Sequence, residues 1–185
     1  MMNEVLKVIS ERYSCRDFTG EPLSEDQIEA LVNAALAAPS GMNLQPWRLI
    51  VLTDKALIEE MDDEGVAILA AAEDKSGYER IMSRGGKAYY NAPCMILILS
   101  DGSYYSALDC GILCENVALA ASSLGLGNVI CGMAALPLGG PRKGEWEKRL
   151  GFPEGYKFCI SVLVGAAKSG KQPHELDQTK VHYIK

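Results

Sequence analysis

The chain has 185 residues, a length that suits one domain with a sizeable buried core. Hydrophobic residues make up 48% and charged residues 23%, a balance that indicates a globular protein and argues against a disordered chain. The net charge of −6 comes from scattered acidic residues, and no lysine- and arginine-rich run is present. The composition therefore argues against nucleic acid or an anionic membrane as the main partner.

Neither a secretion signal nor a membrane span is indicated by the sequence. The first ten residues carry Glu4 and Lys7 and lack a long apolar stretch. The longest apolar runs, such as Cys94 to Leu99, are too short to cross a bilayer. We therefore expect a cytoplasmic protein.

The six cysteines form no Cys-x-x-Cys pair, and the chain has only two histidines. A zinc or iron–sulfur site is therefore not expected. Reduced thiols packed in the core are the better interpretation, and a redox role stays open. The cysteines are Cys15, Cys94, Cys110, Cys114, Cys131 and Cys159.

The first half of the chain is predicted to be mainly helical. A helix over Ser24 to Ala38 should begin with a capping box, because Gln27 follows the N-cap Ser24 by three residues, and it should stop before Pro39. The other elements expected here are a helix over Asn3 to Arg12, an extended Tyr13 to Thr19, a buried strand over Arg48 to Thr53, a helix from Asp54 through Met61, and less regular helices over Glu64 to Lys75 and Tyr78 to Lys87.

The second half contains one long helix, over Tyr104 to Leu124. It is apolar nearly all round, so it should be buried in a core or at a subunit interface. The remaining expectations are strands over Cys94 to Ser100, Asn128 to Cys131 and Phe158 to Ala166, a loop over Pro137 to Pro141, a short helix over Glu145 to Leu150, and a polar tail over Lys168 to Lys185. Because helices and strands do not alternate regularly, the order favours an α/β or α+β sandwich.

Arg12, Ser14 and Arg16 alternate in a segment that is predicted to be extended. Alternate side chains of an extended segment share one face. Two guanidinium groups and a hydroxyl on one face can bind a phosphate or a polarised carbonyl. On spacing alone, a solvated basic patch explains the pattern better.

The loop between the capped helix and the first strand is rich in hydrogen-bonding groups. Ser40, Asn43 and Gln45 offer donors and acceptors, and two flanking prolines restrict the chain, while Gly41 permits unusual backbone angles. Such a loop can bind the edge of a flat heterocycle, although a plain polar connection is the alternative. Trp47 is expected to fill the core where the strand begins.

Several common catalytic motifs are missing from the sequence. Gly125-Leu126-Gly127 lacks the third glycine of a dinucleotide-binding fingerprint and follows a helix. No phosphate-binding Walker loop and no Gly-x-Ser-x-Gly elbow are present. His174 and His182 lie in the polar tail and are expected at the surface.

Two N-terminal segments together resemble the flavin-dependent nitroreductase family. They are Glu11 to Phe18 (ERYSCRDF) and Ala38 to Trp47 (APSGMNLQPW). The same order continues with Asn91-Ala92-Pro93 before a strand, Asp109 to Leu126 with its LGLG ending, and Val164-Gly165 before a lysine-bearing tail. The resemblance covers nearly the whole chain. It implies an α+β fold, in which helices flank a central mixed or antiparallel sheet.

The resemblance also implies a cofactor, its binding residues and a partner. It implies FMN, with NADH or NADPH as the electron donor, in a homodimer whose subunits each contribute to both flavin sites. The residues carried over are Arg12, Tyr13, Ser14 and Arg16 for the phosphate, ribityl chain and ring edge, Pro39, Ser40, Gly41, Asn43 and Gln45 for the loop beside the ring, Ile130, Cys131, Gly132, Met133 and Ala134 for the segment passing the ring near N5, and Lys168 and Lys171 near the phosphate.

Residues 1–185 are expected to form a single domain, with residues 168–185 packing on the partner subunit in an exchange of terminal segments. Two positions depart from the family pattern. Arg12-Tyr13-Ser14 stands where many members have Arg-Arg-Ser, and Lys171 or His174 stands in for a C-terminal arginine. Lysine lacks the bidentate guanidinium fork, so weaker FMN binding than usual is expected.

The implied reaction needs no protein nucleophile, because the flavin carries the chemistry. Hydride passes from the nicotinamide to N5, and a nitroaromatic, quinone or related conjugated acceptor then takes the electrons in the same pocket. A cation such as Arg16 is expected to stabilise the reduced ring near N1 and O2. The alternatives are another reaction on the same fold (dehalogenation, flavin breakdown or dehydrogenation) and a non-catalytic flavin sensor or carrier. The physiological acceptor, and the choice between NADH and NADPH, stay open.

Overall fold

A computed structural model describes residues 3–185, so Met1 and Met2 of the N-terminal segment considered above lie outside the described residues. One antiparallel sheet forms its centre, with the strand order β1-β2-β4-β3. The strands are β1 (Trp47–Leu52), β2 (Cys94–Ser100), β3 (Gly127–Cys131) and β4 (Lys157–Gly165). Trp47 opens β1 and is only 3% exposed, which confirms the predicted core role.

Seven α-helices surround the sheet within the described residues. They are α1 (Glu4–Glu11), α2 (Glu25–Leu36), α3 (Lys55–Ala71), α4 (Ser76–Met82), α5 (Ser106–Ser123), α6 (Ala135–Gly139) and α7 (Lys143–Arg149). Short 3₁₀ turns occupy Gly41–Asn43 and Gln178–Lys180.

The sheet separates two hydrophobic cores. On one face, α2 and α5 pack through residues such as Leu31 and Leu113 against Ile96 of β2. On the other face, α3 and α7 pack through residues such as Met61 and Trp146. The central strand β2 is buried from Cys94 to Leu99 because helices cover both of its faces, which explains its unbroken apolar sequence. The α+β architecture is confirmed, and the sheet is entirely antiparallel.

The capping box of α2 is present as predicted. The Ser24 hydroxyl accepts a hydrogen bond from the Gln27 amide at 3.2 Å, and Gln27 Oε1 accepts one from the Ser24 amide at 2.9 Å. These two bonds satisfy backbone donors that a helix start otherwise leaves free. The beginning of α2 is therefore encoded locally.

The predicted break after Met61 is wrong, because α3 runs without interruption from Lys55 to Ala71. Asp62 lies in the middle of this helix, directly after Met61. In the structure Asp62 is buried and its carboxylate accepts a hydrogen bond from the Ala88 amide at 2.7 Å. A tertiary hydrogen bond thus allows the acidic side chain to lie inside the helix packing.

Two further element predictions need correction. The helix expected over Tyr78 to Lys87 ends at Met82, because Gly85 and Gly86 both have positive φ angles. The loop expected over Pro137 to Pro141 contains α6, which places Pro137 in its first turn. Proline is tolerated there because the amides of a first turn have no helical partner.

The cysteines and the tail agree with expectation. Five of the six free cysteines are buried and Cys159 is half-buried. Residues 168–185 are exposed apart from the half-buried Pro173, so the tail adds little to the core of its own chain. No helix among the described residues is both long and apolar enough to cross a membrane.

Candidate functional site

The N-terminal segment after α1 is held between β3 and the chain that follows β4. The Cys15 amide donates to the Asn128 carbonyl at 2.8 Å, and the Lys168 amide donates to the Asp17 carbonyl at 2.9 Å. Gly127 permits this approach, since a Cβ there would lie 2.9 Å from the Cys15 sulfur. Backbone hydrogen bonds therefore fix the predicted phosphate-binding motif against the C-terminal segment.

A cavity of about 580 Å³ opens beside this junction. We call it the cationic cavity, and its lining residues are Tyr13, Ser14, Arg16, Asp17, Arg84, Ser169, Gly170 and Lys171. The lining contains three basic side chains and one carboxylate, and two serine hydroxyls can also form hydrogen bonds. This donor set suits a phosphate group.

Hydrogen bonds within the cationic cavity join its two sides. The Tyr13 hydroxyl donates to the Ser169 carbonyl at 3.3 Å, and the Ser169 hydroxyl donates to Asp17 Oδ2 at 3.3 Å. Partial burial raises the pKa of Tyr13, with the nearby Cys15 adding to the rise, so the phenol stays protonated and able to donate. Arg16 is exposed, and its guanidinium donates to the Ser14 carbonyl at 3.4 Å.

Two of the predicted phosphate-site residues line other cavities. Arg12 faces a neighbouring cavity that includes Glu11 and Leu126. Lys168 lines a separate cavity with Phe18 and Asp62, although its amide donates to the Asp17 carbonyl. The structure thus brings together Tyr13, Ser14, Arg16 and Lys171 and leaves Arg12 and Lys168 outside their cavity.

The segment from Ile130 to Ala134 continues from β3, the strand whose Asn128 pairs with Ser14. Burial raises the pKa of Cys131, while a hydrogen bond with the Met133 backbone and the charge of Arg16 oppose that rise. The Ser161 hydroxyl donates to the Cys131 carbonyl at 2.6 Å and fixes the end of β3. Exposure differs along the segment, since Ile130 and Gly132 are exposed, Met133 is half-buried, and Cys131 and Ala134 are buried.

The predicted ring-side loop is ordered by polar contacts. The Gln45 amide donates to the Ser40 hydroxyl at 3.0 Å, and Gln45 Nε2 donates to Asn43 Oδ1 at 3.2 Å. The Gly41 amide donates to Asp109 Oδ1 of α5 at 3.1 Å, and Asp109 is buried. Pro39, at the start of the loop that follows α2, is exposed.

Backbone strain in this loop falls on residues other than the expected glycine. Met42, Asn43 and Gln45 adopt positive φ angles of 51°, 56° and 48°, whereas Gly41 does not. Non-glycine residues in this region cost energy and cluster at functional sites. The prediction that Gly41 supplies the unusual angles is therefore wrong. The strained residues stand on the surface, with the Met42 side chain 84% exposed.

Within one chain this loop does not reach the cationic cavity. It packs beside the start of α5, where Tyr105 lies 3.6 Å from the Cβ position of Gly41, and none of its residues lines the cavity. Sequence reasoning also missed Arg84 and Ser169. The glycine pair after Arg84 was the available signal, because it forms the turn after α4 from which Arg84 lines the same cavity as Arg16.

The antiparallel sheet, its two helical layers and a cavity lined by three cationic side chains define the architecture of this α+β protein. The model of the Nitroreductase family matches residues 9–166. The chain belongs to the nitroreductase family.

Relatives and solved structures agree with this assignment. A crystal structure of a nitroreductase with bound FMN from Desulfitobacterium hafniense DCB-2 is 53% identical, covers 100% of both chains and superposes with a TM-score of 0.96. A protein of Archaeoglobus fulgidus, provisionally named NADH dehydrogenase/NAD(P)H nitroreductase, is 30% identical over 95% of this chain and 92% of its own length.

Two further relatives differ in their stated activities. The FMN reductase [NAD(P)H] of Bacillus subtilis is 30% identical over 98% of this chain and 74% of its own length. Iodotyrosine deiodinase 1 of Rattus norvegicus is 25% identical over 98% of this chain and 68% of its own length. The same family fold therefore occurs in proteins named for different reactions.

Proposed function

We propose that the protein is an FMN-dependent oxidoreductase that uses NADH or NADPH to reduce nitroaromatic, quinone or related conjugated acceptors. The convergence of Arg16, Arg84 and Lys171 on one cavity with Ser14 is the observation that carries the proposal. The 53% identical nitroreductase with bound FMN supports the choice of cofactor.

The residues present fit an FMN phosphate and its ribityl chain. A phosphate monoester carries close to two negative charges at neutral pH, and three cationic side chains offset them. Ser14 and Ser169 supply hydroxyls that can donate hydrogen bonds to a phosphate or a polyol. Lys171 takes the place proposed for the missing C-terminal arginine, and its flexible ammonium binds as a point charge.

FMN supplies hydride acceptance and donation at N5 when it is bound. The chain's own task is to hold and orient it. Arg16 lines the cationic cavity and belongs to the segment that pairs with β3, so it is the cation suited to the edge of the ring system. The exposed Gly132 and Ile130 beside it offer backbone amides and an apolar surface along the same path.

A second subunit completes the proposed site. None of the loop residues 39–45, which include the strained and exposed Met42, Asn43 and Gln45, lines the cationic cavity of its own chain. An exposed loop held rigidly by Asp109 is well placed to reach a neighbouring chain. We infer a homodimer in which each loop serves the other subunit's cavity and the tail over residues 168–185 packs on the partner.

The first test is the absorption spectrum of the purified protein before and after anaerobic NADH or NADPH. Flavin bands that bleach on addition and recover with menadione or a nitrofuran support the proposal. A colourless protein that also fails to bind added FMN contradicts it. Bound flavin that neither nucleotide reduces favours a sensor or carrier.

The named deiodinase relative makes dehalogenation the second candidate reaction. Product analysis separates the two reactions. Dithionite-reduced protein mixed with 3-iodotyrosine releases iodide if the chain is a dehalogenase, whereas a nitroaromatic substrate yields hydroxylamine or amine products in the favoured case.

A further inference from the structure

A second cavity of about 410 Å³ lies behind the N-terminal motif. We call it the rear cavity. It is bounded by residues 18–23, by the start of α3, and by residues 87–93 together with Lys168. Its volume falls in the range of small-molecule pockets. The reaction proposed above does not use it.

One side of the rear cavity is apolar. Phe18, Pro22 and Leu23 from the N-terminal segment face Ile58 of α3 and Pro93 before β2. Phe18 and Ile58 are themselves buried, so this wall is continuous with the core and has little freedom to collapse. A preformed apolar wall favours a ligand with a flat or compact hydrocarbon body.

The other side of the rear cavity is polar and carries an unpaired cation. Lys87 pairs with Asp63 at 3.0 Å and Lys55 lies 3.8 Å from Glu59. Lys168, by contrast, forms no ion pair with any residue in the described range 3–185. The lining as a whole contains three lysines, Lys55, Lys87 and Lys168, and two carboxylates, Glu59 and Asp62, so its surplus charge is a single positive one.

Asp62, a carboxylate in the lining of the rear cavity, already accepts a hydrogen bond from the backbone. Asp62 is buried and directs its carboxylate to the Ala88 amide at 2.7 Å. Asn91 lines the cavity in a left-handed conformation with φ of 60°, and its side-chain amide makes no hydrogen bond to the described residues. The Lys168 ammonium and the Asn91 carboxamide, both in the lining, offer hydrogen-bond donors for one carboxylate.

The rear cavity and the cationic cavity share a wall. That wall is a short ladder in which the Thr19 amide donates to the Ala166 carbonyl at 3.0 Å and the Lys168 amide donates to the Asp17 carbonyl at 2.9 Å. Arg16 and Asp17 face one cavity, whereas Phe18 and Thr19 face the other. A ligand in the rear cavity would therefore contact the same segment that lines the cationic cavity.

We propose that the rear cavity binds a small amphipathic organic carboxylate, with its hydrocarbon body against Phe18 and Ile58 and its carboxylate at Lys168. The single unpaired cation matches a monoanion, and the apolar wall distinguishes this ligand from free inorganic anions. This site is separate from the proposed flavin site and does not depend on turnover.

Calorimetric titration of the FMN-loaded protein with 2-naphthoate tests the proposal. We expect a 1:1 complex in the wild-type chain, and Thr53→Trp, which fills the cavity from an exposed position, should weaken it by about tenfold or more. Lys168→Met should reduce the preference for 2-naphthoate over neutral 2-naphthamide by about tenfold. Lys157→Met removes an exposed lysine elsewhere and should change neither value.

Flavin absorption, recorded in parallel, separates this site from a stacking position over the ring. A complex that perturbs the flavin spectrum and persists in Thr53→Trp overturns the proposal, as does the lack of any 2-naphthoate binding. Thermal unfolding of both cavity variants checks that they fold. If the chain lacks FMN altogether, the same titration still decides the question, so failure of the proposed function is distinguishable from failure of this site.

Discussion

Arg16 and Arg84 come from distant parts of the sequence and line the same cavity. Arg16 belongs to an extended segment pinned to β3, whereas Arg84 stands in a turn after α4. Neither guanidinium has a carboxylate partner in an ion pair within residues 3–185, and Asp17 is the one acid in the lining. Unpaired cations in a cavity are available for an anionic ligand, so both arginines are expected to contribute to FMN affinity.

Replacing either arginine with alanine should weaken FMN binding. Each loses a charge-assisted hydrogen bond worth about 1.5–3 kcal/mol, which corresponds to roughly a 10- to 100-fold rise in the Kd. Fluorescence titration of the apoprotein with FMN measures this. Arg80→Ala is the matched control, because Arg80 is exposed on α4 and lines none of the described cavities. An unchanged FMN Kd in both cavity variants would exclude the phosphate role assigned to them.

Helix α3 is joined to α7 by a cluster of ion pairs. Glu60 accepts hydrogen bonds from Arg142 at 2.9 Å and from both terminal nitrogens of Arg149, at 2.8 and 2.7 Å. Glu64 accepts from Arg142 and from the Trp146 indole at 2.9 Å each. The cluster lies at the edge of the core around Trp146, so it fixes how α7 docks on α3.

Acid should weaken this contact between α3 and α7. The hydrogen bonds from Arg149 and then Arg142 lower the pKa of Glu60 to about 2 from its ordinary value near 4.5. A carboxyl whose folded-state pKa is depressed stabilises the fold fully above the unfolded value and loses that contribution as pH falls toward the folded value. The free energy of unfolding should therefore decline between about pH 5 and pH 2, in part through Glu60.

Urea unfolding at several pH values measures this decline. In Glu60→Gln the slope of the free energy of unfolding against pH should be smaller over this window. Glu59→Gln, at the adjacent exposed carboxylate, should leave the slope nearly as in the wild type because its contact with Lys55 is 3.8 Å long and solvent-exposed. Equal slopes in Glu60→Gln and the wild type would contradict the assignment.

Exposed apolar side chains occur on helices α1 and α5, which contact each other. Helix α1 has no buried residue, and its apolar side chains Val5, Leu6 and Ile9 are exposed to solvent. On α5, Leu108 is 62% exposed beside the accessible Gly111. A single chain gains nothing from presenting these side chains to water, so this surface is suited to contact with a second copy.

Introducing a charge on this surface should break the proposed dimer. Leu108→Asp would place an unpaired carboxylate at the centre of the interface, so light scattering should show a monomer of 20.0 kDa instead of a dimer. The same variant should lose FMN affinity, because each site is proposed to need the partner's loop. Met82→Asp is the control, since Met82 is an exposed apolar residue on α4, outside the α1 and α5 surface. A monomeric mass for the wild-type protein in light scattering would contradict the dimer proposal.

Local patterns predicted most elements because their signals are local. The capping box at Ser24 and the strands predicted over Cys94 to Ser100 and Phe158 to Ala166 depend on near neighbours in the chain, and the structure contains them, while α2 ends at Leu36, ahead of Pro39. The burial of Asp62 within α3 could not be read in this way, because it depends on a hydrogen bond from the Ala88 amide across the fold.

The sequence by itself determined the family, the α+β class and the two N-terminal motifs, since these are carried by residue order and short spacings. Only the tertiary structure decided which cations meet. Arg84 and Lys171 line the same cavity as Arg16, whereas Arg12 and Lys168 line other cavities. The 39–45 loop is hydrogen-bonded to Asp109 through the Gly41 amide. The physical reason is that a cavity is formed by segments distant in sequence, and their meeting is set by sheet register and by close approaches such as that of Cys15 to Gly127.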